Sequence, residues 1–77
     1  MKNTYGIVPQ YTRFIVCRID RGGRKLYAAN YYRGEYTWTR DYLYAREYAK
    51  ATAEQHVARL IDQDATSAHY TAPIVHF

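Results

Sequence analysis

The sequence predicts a small α+β domain: a small antiparallel β-sheet with one helix packed across one of its faces, in the order β-β-β-α-β. Three observations predict this fold. β-Branched and aromatic residues alternate with period 2 over the first half of the chain, and glycine-containing turns separate the runs. The period changes to 3.6 after Trp38 and returns to 2 near residue 68. A chain of 77 residues has room for one domain, 1–77.

Three strands are predicted in the first half of the chain, over residues 11–20, 24–33 and 36–39. In the first strand, Ile15, Cys17 and Ile19 share one apolar face. The glycine pair that follows Asp20 and Arg21 predicts a hairpin, because glycine adopts the positive φ that tight turns need. Gly34, which precedes Glu35, predicts the next turn, so the three strands form an antiparallel meander.

A helix is predicted over residues 41–63, with Thr39 or Asp41 as its N-cap. Its apolar residues fall in one stripe, which consists of Tyr42, Leu43, Ala45, Ala49, Ala53, His56, Val57, Leu60 and Ile61. Residues 52–55 fit a capping box, so a break near residue 51 is the alternative to a continuous helix.

A last strand is predicted at about residues 68–76, and Pro73 restricts it to an edge of the sheet or to a bulge. Asp62 and Asp64 lie at the end of the helix where its dipole disfavours negative charge. We therefore expect arginines from the first half of the chain to offset these two carboxylates.

The composition indicates a thin core and a basic surface. Hydrophobic residues make up 48% of the chain, but ten of them are Tyr. A core this small cannot hold all ten, so Tyr42 and Tyr48 are expected to close it and others to lie on the surface. Residues 1–40 carry eight basic and two acidic side chains, within a formal net charge of +4. The basic half is therefore expected to meet an anionic partner, unless the charge serves only solubility.

Several classes of protein are excluded by the sequence. No apolar run approaches the roughly 20 residues of a membrane span, and the start lacks the apolar stretch of a secretory signal. Cys17 is the one cysteine, which excludes an internal disulfide and a Cys-rich zinc site. A single unpaired cysteine suits a reducing cytoplasm. We therefore expect a cytoplasmic protein without membrane contact.

The sequence carries no recognisable catalytic, cofactor-binding or metal-binding pattern. The glycine pair precedes a strand rather than a helix, so it does not form a phosphate-binding loop. His56 falls on the apolar stripe, where a half-buried, hydrogen-bonded histidine is expected. His69 and His76 lie on opposite faces of a strand and match no metal spacing. Cys17 is expected to be a small buried side chain. We predict no enzyme activity, no cofactor and no metal.

Arginine and tyrosine are interleaved along the predicted sheet and form the candidate binding surface. A helix on the Cys17 face of the first strand leaves open the opposite face, from Phe14 to Arg18. The cross-strand register decides which tyrosines of the second strand face outward, and either choice exposes some. The predicted partner-binding residues are Arg18, Arg21, Arg24, Lys25, Tyr27, Tyr31, Arg33 and Tyr36. Such a surface suits nucleic acid, through base stacking and phosphate contact. It equally suits a protein partner, because Tyr and Arg are enriched in hot spots. The structural alternative is that aromatic residues simply favour strands and that several tyrosines belong to the core.

A run of residues 36–41, Tyr-Thr-Trp-Thr-Arg-Asp, is followed at intervals by Ala45, Tyr48, Thr52 and Val57. A strand that ends in Trp-Thr and leads into a helix with spaced Ala and aromatic residues resembles small orphan proteins of bacteriophages and mobile elements. The resemblance covers about residues 24–61 and departs from the pattern at His56 and by an insertion near Lys50. It implies an inhibitor of bacterial defence or of a host enzyme, such as an anti-CRISPR protein, and transfers no functional residue.

The order of three strands and a helix also resembles DNA-binding domains of plant transcription factors and integrase arm-binding domains. Those domains contact the major groove with Arg and Trp on the exposed sheet face, which implies such a role here for Arg18, Arg24, Arg33 and Trp38. The chain departs from this pattern by its additional C-terminal strand.

Two functions are the alternatives. The leading one is a small, non-enzymatic phage-type protein of the bacterial cytoplasm that binds, and inhibits, a host protein or a nucleic-acid-handling defence complex. The alternative is sequence-tolerant DNA or RNA binding through the same three-stranded sheet. A homodimer and a structural role stay open.

Overall fold

The computed structural model describes residues 13–74, which form a four-stranded antiparallel sheet with one α-helix packed on it. The elements in chain order are β1 (Phe14–Ile19), β2 (Lys25–Tyr32), β3 (Glu35–Thr39), a 3-10 turn (Tyr42–Tyr44), α1 (Lys50–Gln63) and β4 (Ala68–Pro73). The strands lie in the order β3-β2-β1-β4. The predicted α+β fold is confirmed. The predicted outer ends of the first and last strands, with His76, lie outside the described residues.

Both predicted hairpin turns are present, and each uses glycine at a positive φ. In the β1–β2 turn, Gly23 has a φ of 81° and the Asp20 carboxylate accepts the N–H of Arg24 at 2.9 Å. In the two-residue β2–β3 turn, Arg33 and Gly34 have φ of 53° and 84°. Positive φ at both central residues defines the type I′ turn, whose twist matches that of the paired strands.

The helix covers the Val16 face of β1 and not the Cys17 face, so the expectation that the Val16 face stays open is wrong. Val16 is fully buried and packs in one cluster with Ala28 of β2 and with Ala53 and Leu60 of α1. Both alanines are fully buried as well. Small side chains at these two positions let the helix approach the sheet closely.

The Cys17 face of β1 is buried too, which is why the sequence of this strand could not show where the helix lies. Ile15 and Cys17 form a second cluster, and the residues packed in it are Ile74, Tyr27, Ala45, Tyr70 and Ala72. Ala45 belongs to the segment between the 3-10 turn and α1, so this segment covers the face that the helix leaves. β1 is therefore a central strand that is covered on both sides.

The chain passes between β1 and β2 on its way to α1. These strands pair directly at residues 17–19 of β1. Further along, Tyr48 exchanges two backbone hydrogen bonds of 2.7 Å with Phe14. The N–H of Arg46 donates to the carbonyl of Ala28 in β2 at 2.9 Å. The segment therefore fills the gap between the two strands and leads the chain from one face of the sheet to the other.

Because of this crossing, α1 begins at Lys50 rather than at Asp41, close to the alternative prediction of a break near residue 51. Asp41 instead caps the 3-10 turn, where its carboxylate accepts the N–H of Leu43 at 2.9 Å. Tyr42 and Leu43 are exposed, so their predicted place on the buried stripe is wrong. Within α1 the stripe holds at Ala53, His56 and Leu60, which are buried, but Ile61 is exposed, so its predicted place on the stripe is also wrong.

Candidate functional sites

The eight residues predicted to bind a partner do not share one open face. Those on the helix face are Arg18, Tyr31 and Tyr36. Tyr27 packs on the opposite face, and Arg33 lies in the β2–β3 turn. The three at the β1–β2 hairpin are Arg21, Arg24 and Lys25. A continuous tyrosine–arginine surface on the sheet is therefore not formed, and the binding role of these residues stays a prediction.

Tyr31 and Tyr36 belong to an aromatic cluster under the helix. The Tyr36 hydroxyl lies 2.6 Å from Nδ1 of His56, and the Tyr31 ring centroid lies 4.6 Å from that of Tyr36 and 4.9 Å from that of His56. Arg59 stacks on Tyr31 and donates to its hydroxyl at 3.0 Å. His56 is 8% exposed, and burial, with smaller effects of Arg59 and Arg46, lowers its pKa. The expected hydrogen-bonded histidine on the helix stripe is confirmed, and it is buried rather than half-buried.

Arg18 is held at the other end of this face by two contacts. Its guanidinium carbon lies 5.0 Å from the Trp38 ring centroid, and Nη2 lies 3.4 Å from a carboxylate oxygen of Asp64. This ion pair confirms the expectation that an arginine offsets Asp64 at the end of the helix. The Nε of Arg18 is buried and has no hydrogen-bond partner among residues 13–74. Both ring nitrogens of His69, whose ring lies near that of Trp38, are also buried without a hydrogen-bond partner among residues 13–74.

A shallow groove of about 230 Å³ lies between the β1–β2 hairpin and the loop that joins α1 to β4. We name it the hairpin groove, and its lining residues are Arg18, Asp20, Arg21, Gly22, Arg24, Thr66 and Ser67. The backbone N–H of Arg24 and then its side chain, whose Nε donates at 2.8 Å, lower the pKa of Asp20. Hydrogen bonds from the hydroxyl and N–H of Thr66 chiefly lower the pKa of Asp64 to about 2. Both carboxylates are therefore ionised at neutral pH.

The Cys17 thiol is buried among apolar and aromatic side chains on the other face of the sheet, as predicted. Burial raises its pKa, although Lys25 and Tyr70 act in the opposite direction. The ammonium of Lys25 lies 5.8 Å from the ring centroid of Tyr27 and 6.0 Å from that of Tyr70. A thiol that is buried and protonated at neutral pH is a poor nucleophile.

The two most exposed large apolar side chains of the described residues are neighbours in the 3-10 turn. Leu43 is 84% exposed and Tyr44 is 71% exposed. Beside them, the Tyr42 ring packs edge-on against Tyr27, with 5.6 Å between centroids. We name Tyr42–Tyr44 the projecting turn. This turn was not predicted from the sequence, because Tyr42 and Leu43 also fit the spacing of a buried helix stripe.

Among residues 13–74, no group of three His, Cys, Asp or Glu side chains is arranged to hold a metal ion. None of the helices in this part of the chain is both long and apolar enough to cross a membrane. Comparison of the chain with protein-family models, with curated proteins and with solved structures gives no match. The candidate sites therefore rest on geometry and charge alone.

Proposed function

We propose that the protein is a non-enzymatic binding module that attaches to a host protein of the bacterial cytoplasm through the projecting turn. The observation that supports this function is the exposure of Leu43 and Tyr44 side by side. Large apolar side chains that are exposed next to each other are typical of interaction sites, and tyrosine is enriched among hot-spot residues. This proposal moves the binding surface from the sheet to the turn.

The backbone of the projecting turn is already fixed in the free protein. The N–H of Tyr44 donates to the carbonyl of Asp41 at 3.0 Å, and the N–H of Leu43 donates to its carboxylate. After the turn, the N–H of Ala45 donates to the carbonyl of Tyr42 at 3.1 Å. A turn that is held in this way loses little conformational freedom on binding, which favours affinity.

The charges around the projecting turn favour a protein as the partner. Arg40 and Asp41 precede the turn, and Arg46 and Glu47 follow it, so positive and negative side chains balance. A mixed polar rim around exposed apolar residues is the usual anatomy of a protein–protein interface. A polyanion or an anionic membrane would instead be met by an excess of positive charge.

The resemblance to small phage proteins supports an inhibitory role for this attachment. A module of this size can block a surface of a defence complex without chemistry of its own. The proposed partner is therefore a component of a host nucleic-acid-handling complex, and the proposed effect is inhibition by occlusion.

A capture experiment with matched variants tests the proposal. Immobilised wild-type protein, the double variant Leu43→Asp with Tyr44→Ser, and the control Ile61→Asp are incubated with nuclease-treated bacterial lysate. Ile61 is 52% exposed on α1, so the control places the same charge on another exposed apolar position. Any captured protein is then purified and its binding is measured by calorimetry.

The expected result is a purified partner that binds wild type and Ile61→Asp alike and does not bind the double variant. Because the replaced side chains are exposed, each variant is expected to fold, and circular dichroism checks this. A partner that binds all three proteins equally would contradict the proposal, as would the absence of any partner with a Kd below about 10 μM.

A further inference from the structure

We propose that the hairpin groove binds one backbone phosphate of a nucleic acid. The residues that line it include three arginines, Arg18, Arg21 and Arg24, and two hydroxyl residues, Thr66 and Ser67. The planar, forked guanidinium group is the side chain best suited to phosphate oxygens. The groove lies beside the helix face of the sheet, whereas the projecting turn packs on the opposite face, so the two sites are independent.

Two of the three guanidinium groups are held in place before any ligand arrives. Arg18 is fixed by the Trp38 ring and by Asp64, and Arg24 is fixed by Asp20. Groups that are already oriented lose less freedom when they bind.

The charge of the groove favours a phosphodiester over a phosphomonoester. Three arginines line the groove, and two of them are paired with the ionised carboxylates of Asp20 and Asp64. One positive charge therefore remains unbalanced. A backbone phosphate carries a single negative charge and neutralises it, whereas a dianionic phosphomonoester leaves an excess negative charge close to two carboxylates.

A polymer with repeated phosphates also suits the surroundings of the groove. Beyond the three groove arginines, Lys25 is exposed on the same hairpin and forms no ion pair among residues 13–74. Its ammonium lies toward the Tyr27 and Tyr70 rings on the opposite face of the sheet, so a nucleic-acid strand that is held by the groove and passes over the hairpin can place a neighbouring phosphate near it. The ligand is therefore a nucleic-acid backbone, contacted without reference to base sequence.

Fluorescence anisotropy with a labelled duplex of random sequence tests this site. Binding is measured between about 50 and 200 mM salt for wild type, for Arg21→Gln with Arg24→Gln, and for the control Arg33→Gln. Arg33 is an exposed arginine at the opposite end of β2, and a strand of eight residues spans about 26 Å. Because Arg18 also packs on Trp38, the groove variants leave it unchanged.

Each phosphate contact contributes about 0.9 to the slope of log K against log salt, and about 15-fold to affinity at 50 mM relative to 1 M salt. At 50 mM salt the double variant is therefore expected to bind at least about 15-fold more weakly, and across the salt range it should lose about one to two units of slope. Arg33→Gln is expected to bind the duplex as wild type does. Leu43→Asp is expected to do the same, because it changes only the projecting turn.

Three results would overturn the inference. Wild type could fail to bind the duplex at low salt, or Arg33→Gln could weaken binding as much as the groove variant does. A phosphoserine peptide or inorganic phosphate could displace the labelled duplex at a lower concentration than the unlabelled duplex does, which would identify a phosphomonoester site. Thermal melts show that the groove variants are folded before any loss of binding is interpreted.

Discussion

Replacement of Tyr36 by Phe removes one hydroxyl group and leaves an aromatic ring in the cluster under the helix. The hydroxyl lies 2.6 Å from Nδ1 of His56. Burial raises the pKa of Tyr36 and lowers that of His56, so the first is protonated and the second is neutral at pH 7. The hydroxyl therefore donates and Nδ1 accepts, which leaves the imidazole proton on Nε2.

The cost of this substitution comes mainly from the nitrogen that it leaves behind. His56 is 8% exposed, so water does not readily replace the lost donor. A buried polar atom without a partner costs about 1–3 kcal/mol. In a domain of this size each kcal/mol corresponds to about 4–8 °C in Tm. Tyr36→Phe is therefore expected to lower Tm by at least about 4 °C.

Thermal and urea unfolding, followed by circular dichroism at pH 7.5, measures this loss. Tyr32→Phe is the matched control because it removes the same hydroxyl from a side chain that is 68% exposed. A Tyr36→Phe variant as stable as Tyr32→Phe would refute the hydrogen bond to His56 as a source of stability.

Three further predictions concern the core and the turns. The pKa values of His56 and His69 are lowered, chiefly by burial. Both histidines are therefore protonated more readily in the unfolded chain than in the folded protein. The free energy of unfolding should have its full value above a pH of about 6.5 and should fall as the pH drops below it. Urea midpoints between pH 8 and 5 test this, and a flat profile would contradict it. Val16→Ala, at a fully buried position, should cost about 2 kcal/mol in urea unfolding because it removes two buried methyl groups; a cost near zero would place Val16 outside the core. Arg33→Asn should raise stability by about 0.5 kcal/mol because Asn accepts the positive φ at this position, and a lower Tm would argue against the type I′ turn.

The elements of this fold that rest on local signals were predictable from the sequence. The glycine pair near Asp20 and Gly34 mark the two hairpins, since positive φ is a local requirement. The buried stripe of α1 follows from its 3.6-residue period. The ion pair of Asp64 with an arginine was expected from helix polarity alone.

The crossing between β1 and β2 was not predictable, because it depends on long-range pairing. No local feature shows that Tyr48 pairs with Phe14 in place of β2. Tyr42 and Leu43 have the spacing of a helix stripe, and nothing in the local sequence distinguishes an exposed turn from the buried stripe of a helix. The helix face of β1 was also ambiguous, since Val16 and Cys17 are both apolar and both faces are covered.

The candidate site was only partly predictable for a related reason. Arg21 and Arg24 were identified because a basic hairpin is visible in the sequence. Their convergence with the α1–β4 loop at Thr66 depends on the pairing of β4 with β1. Tyr31 and Tyr36 looked like surface residues, but the short core uses them to fill space under the helix.

The binding of a purified partner to Leu43→Ala, compared with wild type by calorimetry, tests the role of the projecting turn most directly. The side chain is exposed in the free protein, so its truncation changes the interface without disturbing the core. Loss of the apolar area that Leu43 would bury in the interface costs about 2 kcal/mol, which predicts a Kd about 30-fold higher than that of wild type, with Ile61→Ala unchanged. A Kd for Leu43→Ala equal to that of wild type would contradict the proposed function.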